Sequence, residues 1–164
     1  GMGGVGKTTM VDHVGAQAKN KGIFHHVIKA VVSENPNFWK IQGTLADLLG
    51  VKLAGETETG RAASLNKEIM RREKILIILD NVWNRVELSR IGVPGYKKLQ
   101  TCNSKVIFTT RIKNTCTAMH TQEKIPLSVL SEKDSWSLFA NTTGMSFDES
   151  SELYNVARKV SNEC

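Results

Sequence analysis

The chain has 164 residues, 40% of them hydrophobic and 23% charged, the balance of a globular domain that can bury a core. No apolar run is long enough to span a bilayer and no charged-then-apolar leader opens the sequence, so a soluble, membrane-free chain is expected. The net charge of +6 raises nucleic acid as a partner. However, the Lys and Arg residues are scattered, and no basic stripe alternates with aromatic residues, so nucleic-acid binding is not expected. Cys102, Cys116 and Cys164 form no C-x-x-C pair. That argues against a zinc site or a disulfide framework and fits a reducing, cytoplasmic compartment.

The chain opens on Gly1-Met2-Gly3-Gly4-Val5-Gly6-Lys7-Thr8-Thr9. From Lys7 to Lys21 the spacing of Met10, Val11, Val14, Ala16 and Ala18 predicts a helix closed by Gly22. Val27 to Val32 is short, β-branched and mostly apolar, the pattern of a strand. Asn35-Pro36 marks a turn, and Ile41, Leu45, Leu48 and Leu49 then recur at helical spacing until Gly50. A polar loop over Lys52 to Thr59 leads into a helix from Arg61 to Arg72, with Ala62, Leu65 and Ile69 on one face. Ile75 to Leu79 is continuously apolar, as a strand covered on both faces requires. Val93-Pro94-Gly95 is read as a connecting loop, Val106 to Thr110 as another buried strand, and Lys113 to Met119 as a short helix. Ile125 to Leu130 is read as a last strand interrupted at Pro126. Ser131-Glu132-Lys133-Asp134 is a capping box that opens a helix through Trp136, Leu138 and Phe139, and a final helix is placed from about Glu149 to Val160. Trp39, Trp83 and Trp136 are read as core or interface packing. Strands alternating with helices give an α/β fold with a mainly parallel sheet.

The chemistry lies at the loop ends. Gly1 through Thr8 matches G-x-x-x-x-G-K-S/T, the P-loop. Its glycines let backbone N–H groups converge on an anion, and the helix that follows adds its partial positive end. Lys7 is placed to reach the β- and γ-phosphates of ATP or ADP, and the Thr8 hydroxyl to ligate Mg²⁺. Asp80, at the tip of the apolar Ile75–Leu79 run, is where such proteins put the carboxylate that orients Mg²⁺. Arg111, after Thr109-Thr110, is a candidate γ-phosphate sensor. A P-loop follows a strand, and none precedes Gly1. A fragment is therefore expected, with the first strand of a three-layer P-loop NTPase fold missing and an open sheet edge beside Thr109-Thr110.

The whole ordered set of blocks resembles the NB-ARC nucleotide-binding region of plant intracellular immune receptors. Residues 1–9 resemble that family's first motif, and the stretch from Val27 to Leu49 its next block. Leu79-Asp80-Asn81-Val82-Trp83 resembles the second kinase-type motif, Ser104 to Arg111 the third, and the stretch around Trp136-Ser137-Leu138-Phe139 a later one. Trp83 is similar to the coiled-coil class of receptor. The resemblance implies a switch that is closed with ADP and opened by exchange for ATP, with a coiled coil and leucine-rich repeats as partner domains and an oligomer on activation left open. It implies a nucleotide-binding domain over 1–129 and the start of a helical subdomain over 130–164. Where the family carries a second acidic residue proposed to activate water, this chain has Asn81, which cannot accept the proton and puts hydrolysis in doubt. The rival readings are a P-loop ATPase or regulator whose output is turnover, and a scaffold that has lost nucleotide binding.

Overall fold

The computed structural model describes residues 3–144 and 152–163. Gly1 and Met2, and the start of the last helix at Glu149, lie outside the described residues. Two compact units divide the chain: Gly6–Ile125 forms one, and Pro126–Cys164 with Gly1–Val5 forms the other.

In the larger unit the elements run α1 (Lys7–Asn20), β1 (His26–Ser33), α2 (Phe38–Leu49), α3 (Glu58–Met70), β2 (Ile75–Val82), α4 (Tyr96–Thr101), β3 (Lys105–Phe108) and α5 (Lys113–Ala118). The strands form a three-stranded parallel sheet in the order β1-β2-β3. Parallel neighbours need crossover connections, and the helical patterns between the apolar runs supply them.

The pleat sends alternate residues of a strand to opposite faces. Ile75, Ile77 and Leu79 of β2 join Ile28, Ala30 and Val32 of β1 in a core that includes Ile41, Leu45 and Leu49 of α2 and Leu65 and Ile69 of α3. Leu76 and Ile78 instead meet Val11 and Ala18 of α1, with Val27 and Phe24 packed alongside. The α/β expectation is therefore met, with helices on both faces of a parallel sheet. Burying each of these large aliphatic side chains contributes roughly 1.5–3 kcal/mol. At Gly15 the approach of α1 to the sheet is close: a Cβ there would meet Val27 Cγ1 at 3.0 Å and Ile78 Cδ1 at 3.1 Å.

The helix ends follow their chemistry. The Asn37 side chain accepts from Lys40 N–H at the start of α2, and Gly50 closes that helix in the left-handed region. Thr57 caps α3 through Gly60 N–H. Gln42 is fully buried on α2, where its amide donates to Glu58 O at 3.0 Å and Arg90 O at 2.8 Å and its oxygen accepts from Arg61 Nε at 3.3 Å. It fastens α2 to the first turn of α3 and to the segment that follows β2.

Two sequence expectations change. Val106 to Thr110 is not a fully buried strand: β3 ends at Phe108 and its apolar residues are half-buried, because it pairs with β2 alone among the described residues. Ile125 to Leu130 forms no strand, and Ile125 is 86% exposed. Among the described residues no strand pairs with that segment, and Pro126 lacks an N–H. Of the two roles read for Trp39, core or interface packing, the core is not taken: it is exposed and carries the Arg61 guanidinium over its ring at 4.6 Å. Helix α4, with Leu99 buried, follows the Val93-Pro94-Gly95 loop in a stretch for which the sequence predicts no element.

The smaller unit holds α6 (Glu132–Thr143) and α7 (Glu152–Glu163). The Ser131 Oγ accepts from Asp134 N–H, which caps α6, and donates to the Asp134 carboxylate at 2.6 Å, so Ser131 and Asp134 pair at the helix start. Trp136 stacks on Phe139 at 5.9 Å and meets Tyr154 edge-on at 5.2 Å, with the Arg158 guanidinium 4.8 Å over its ring. No helix among the described residues is long and apolar enough to cross a membrane.

Candidate functional site

Gly6 stands at φ +81°, a conformation open to glycine at little cost, and turns the chain directly into α1. Gly4, at φ +79°, is the other left-handed glycine of the loop, and Gly3 to Val5 form turn and bend. No side chain caps the first turn of α1, and that turn contains no acidic residue. A helix start of this kind presents its N–H groups and partial positive charge to an anion. Lys7, Thr8 and Thr9 form that first turn.

The Thr8 hydroxyl lies 3.0 Å from both carboxylate oxygens of Asp80. Two motifs 72 residues apart in sequence thus meet side chain to side chain. The register explains the meeting. Asp80 shares the parity of Leu76 and Ile78, so it projects on the face that α1 covers, and it lies at the C-terminal end of β2, where the helix start arrives.

Asp80 is only 5% exposed, and its charge is answered from three sides. Besides Thr8, the Thr109 hydroxyl donates to Oδ1 at 2.6 Å, and Lys29 Nζ stands 3.8 Å from Oδ2. Thr109 also accepts the Asn81 N–H at 2.9 Å. Its backbone continues the ladder past the end of β3, with its N–H on Leu79 O at 3.0 Å and its carbonyl on Val82 N–H at 2.9 Å. Thr109 is thus a buried hydroxyl that ties the third motif to the acidic residue of the second. A hydroxyl and a carboxylate side by side are hard oxygen donors of the kind that suit Mg²⁺, which takes one or two protein oxygens and completes its shell with water and phosphate.

Asn81 takes φ +59°, a left-handed conformation that Asn tolerates better than most residues. Its side-chain oxygen accepts from Trp83 Nε1 at 3.1 Å, so the amide is engaged with the indole. The Trp83 carbonyl accepts from the Thr115 hydroxyl at 2.7 Å, and the Arg111 guanidinium stands 5.7 Å over the Trp83 ring. Arg111, the last residue of the third motif, is exposed. Trp83, in the second motif, therefore meets Arg111 of the third.

The model of the NB-ARC domain family matches residues 1–149. The chain belongs to the NB-ARC family. Three curated relatives from Arabidopsis thaliana are the Disease resistance proteins RFL1, RPS5 and SUMM2, and RFL1 is 35% identical over 168 residues, covering 100% of this chain and 19% of that protein. Disease resistance protein RPS5 is 33% identical over 169 residues, again covering 100% of the chain and 19% of the relative. Disease resistance protein SUMM2 is 32% identical over 169 residues with the same coverage. The chain spans about a fifth of the length of these relatives. The glycine loop, the Asp80 strand end and the Thr109-Thr110-Arg111 segment all fall inside the matched NB-ARC region.

Proposed function

We propose that this chain is the ADP/ATP-binding switch module of a plant intracellular immune receptor, acting in the defence response to pathogens. The observation that carries the reading is the direct contact of Thr8, in the first turn after the glycine loop, with the buried carboxylate Asp80. Membership of the NB-ARC family and relatives named as disease resistance proteins supply the biological context. In this reading Gly1 to Gly6 and the first turn of α1 hold the phosphates through backbone N–H groups, and Lys7 pairs with the β- and γ-phosphates. Thr8 and Asp80 hold Mg²⁺, which neutralises phosphate charge when bound. Arg111 senses the γ-phosphate, and its stacking on Trp83 is the contact a nucleotide-dependent movement would exchange.

The nucleotide-binding domain covers 1–129, and 130–164 begins a helical subdomain. A coiled coil, leucine-rich repeats and a cytoplasmic location belong to the same proposal. The turnover-ATPase reading is not favoured, since the residue after Asp80 is an amide hydrogen-bonded to an indole, not an acid. The test is ADP calorimetry on the full-length protein and its Lys7→Ala variant. Losing one charge-assisted contact to phosphate costs about 2–3 kcal/mol, roughly a 30- to 150-fold weaker Kd. Equal affinity in the two proteins rules out the phosphate-site assignment.

A further inference from the structure

One charged side chain interrupts an otherwise apolar strand. In Val27-Ile28-Lys29-Ala30-Val31-Val32, Lys29 lies opposite Ile78 in the β1–β2 register and shares the parity of Val27, which packs on the α1 face. It thus projects to the same side of the sheet as Asp80. Its ammonium contacts both oxygens of Asp12, at 2.6 and 2.8 Å, and stands 3.8 Å from Asp80 Oδ2. Asp12 is four residues after Thr8 on α1 and so lies on the same helix face as the residue that touches Asp80. One cation is therefore shared between a half-exposed carboxylate and a buried one, with side-chain exposures of 51% for Asp12 and 6% for Asp80.

A lysine joined only to Asp12 would be an ordinary exposed pair of little consequence. The buried Asp80 is different. A carboxylate out of contact with water needs a compensating charge, and Lys29 places an ammonium beside it. A divalent ion arriving at the same carboxylate meets that ammonium well inside a Debye length, where like charges repel.

We propose that Lys29 is a resident counter-cation of Asp80 that competes with Mg²⁺ for this carboxylate and thereby sets the Mg²⁺ concentration at which the site takes up metal. Asp12 tunes the competition by drawing the ammonium toward itself. The inference rests on the nucleotide-site reading above and deepens it: the chain supplies its own cation when metal is scarce, so bound nucleotide depends less on Mg²⁺ than the Thr8–Asp80 pair alone would make it.

The two neighbours predict opposite signs. Lys29→Met keeps the aliphatic stem and removes the competing charge, whereas Asp12→Asn leaves the ammonium free to settle on Asp80. The experiment is ADP calorimetry on the full-length protein and both variants over a series of free Mg²⁺ concentrations fixed with chelator. The midpoint of the Mg²⁺ dependence should fall about tenfold in Lys29→Met and rise severalfold in Asp12→Asn. ADP affinity without metal should drop in Lys29→Met. Midpoints within twofold of one another, or both variants moving in the same direction as a merely structural ion pair would, overturn the inference. A wild-type protein that binds no ADP at any Mg²⁺ concentration overturns the nucleotide reading and this inference with it. ADP binding with an unchanged metal dependence overturns this inference alone.

Discussion

Replacing Thr109 by Val isolates the hydroxyl that joins the third motif to Asp80. Valine has nearly the same shape and branching, and Thr109 is only 7% exposed, so the change opens no cavity and leaves the packing almost intact. Two hydrogen bonds disappear. The bond to Asp80 Oδ1 at 2.6 Å is short and has a charged acceptor, a class whose loss costs about 1.5–3 kcal/mol. The Asn81 N–H, now bonded to Thr109 Oγ1 at 2.9 Å, loses its acceptor, and an unsatisfied buried donor costs about 1–3 kcal/mol. The two are coupled through one oxygen and do not add in full, so we expect about 2–4 kcal/mol, a large part of the roughly 5–15 kcal/mol that holds a domain together. Hydrogen exchange on the full-length protein reads this locally. Amides of the Asn81-Val82 segment should exchange roughly 30- to 700-fold faster in the variant, at about 1.4 kcal/mol per tenfold. ADP affinity should fall with it, because Asp80 loses a bond that aims its carboxylate. Thr109→Ser keeps the hydroxyl and should recover most of both effects. Wild-type exchange rates in Thr109→Val would refute the claim that this hydroxyl holds Asp80. A Ser variant as damaged as the Val variant would move the effect from the hydroxyl to the lost methyl.

Asn81→Asp should leave ADP affinity nearly unchanged, because a carboxylate can still accept from the Trp83 indole, while single-turnover ATP hydrolysis in the full-length protein rises roughly tenfold or more, within the range of general-base catalysis. Equal hydrolysis rates with Asn and Asp would show that position 81 is not where a base acts. Gln42→Ala removes the partner of the Glu58 and Arg90 carbonyls and empties a fully buried site, so it should destabilise the domain by about 2–4 kcal/mol and expose the α2–α3 junction to proteolysis, and an unchanged cleavage pattern would contradict this.

Much of this architecture is legible because the apolar pattern and the glycines speak locally. The run Ile75 to Leu79 reads as a strand covered on both faces, and it is the middle strand of the sheet. Gly50 closes α2, and Ser131 with Asp134 opens α6, since a cap needs only its own few neighbours. What the pattern does not carry is partnership. Val106 to Phe108 are as apolar as a central strand, yet they are half-buried, because burial of a strand depends on what lies beyond its edge. Ile125 to Leu130 has strand-forming residues, but no strand among the described residues pairs with it and it is irregular. Helix α4 was hidden because six residues following a Pro-Gly give no periodicity to read. The same limit applies to the site. Thr8 and Asp80 announce themselves through motif position, whereas the Thr109 hydroxyl and the Asp12 carboxylate look like ordinary polar residues until the fold brings them within bonding distance of Asp80 and Lys29. Lys29 did leave a signal: a lysine in the middle of an apolar strand needs an answering charge.

The pleat separates core from chemistry in this unit. On β2, Ile75, Ile77 and Leu79 project toward α2 and α3, into the larger core. Leu76 and Ile78 project toward α1, and the next residue of that parity is Asp80. On β1 the same alternation gives Val27 and Lys29 to the α1 face and Ile28, Ala30 and Val32 to the other. Lys29 and Asp80 therefore share one face, with Asp80 near the C-terminal end of β2, where α1 begins with an uncapped first turn. A shift of one residue in the register of β1 against β2 would exchange the faces. It would bury the ammonium in the α2–α3 core without a partner and leave Asp80 without its neighbouring cation. The buried aliphatic side chains of Ile28, Ala30 and Val32 hold the register that keeps Lys29 within 3.8 Å of Asp80, so the apolar face sets the electrostatics of the polar one.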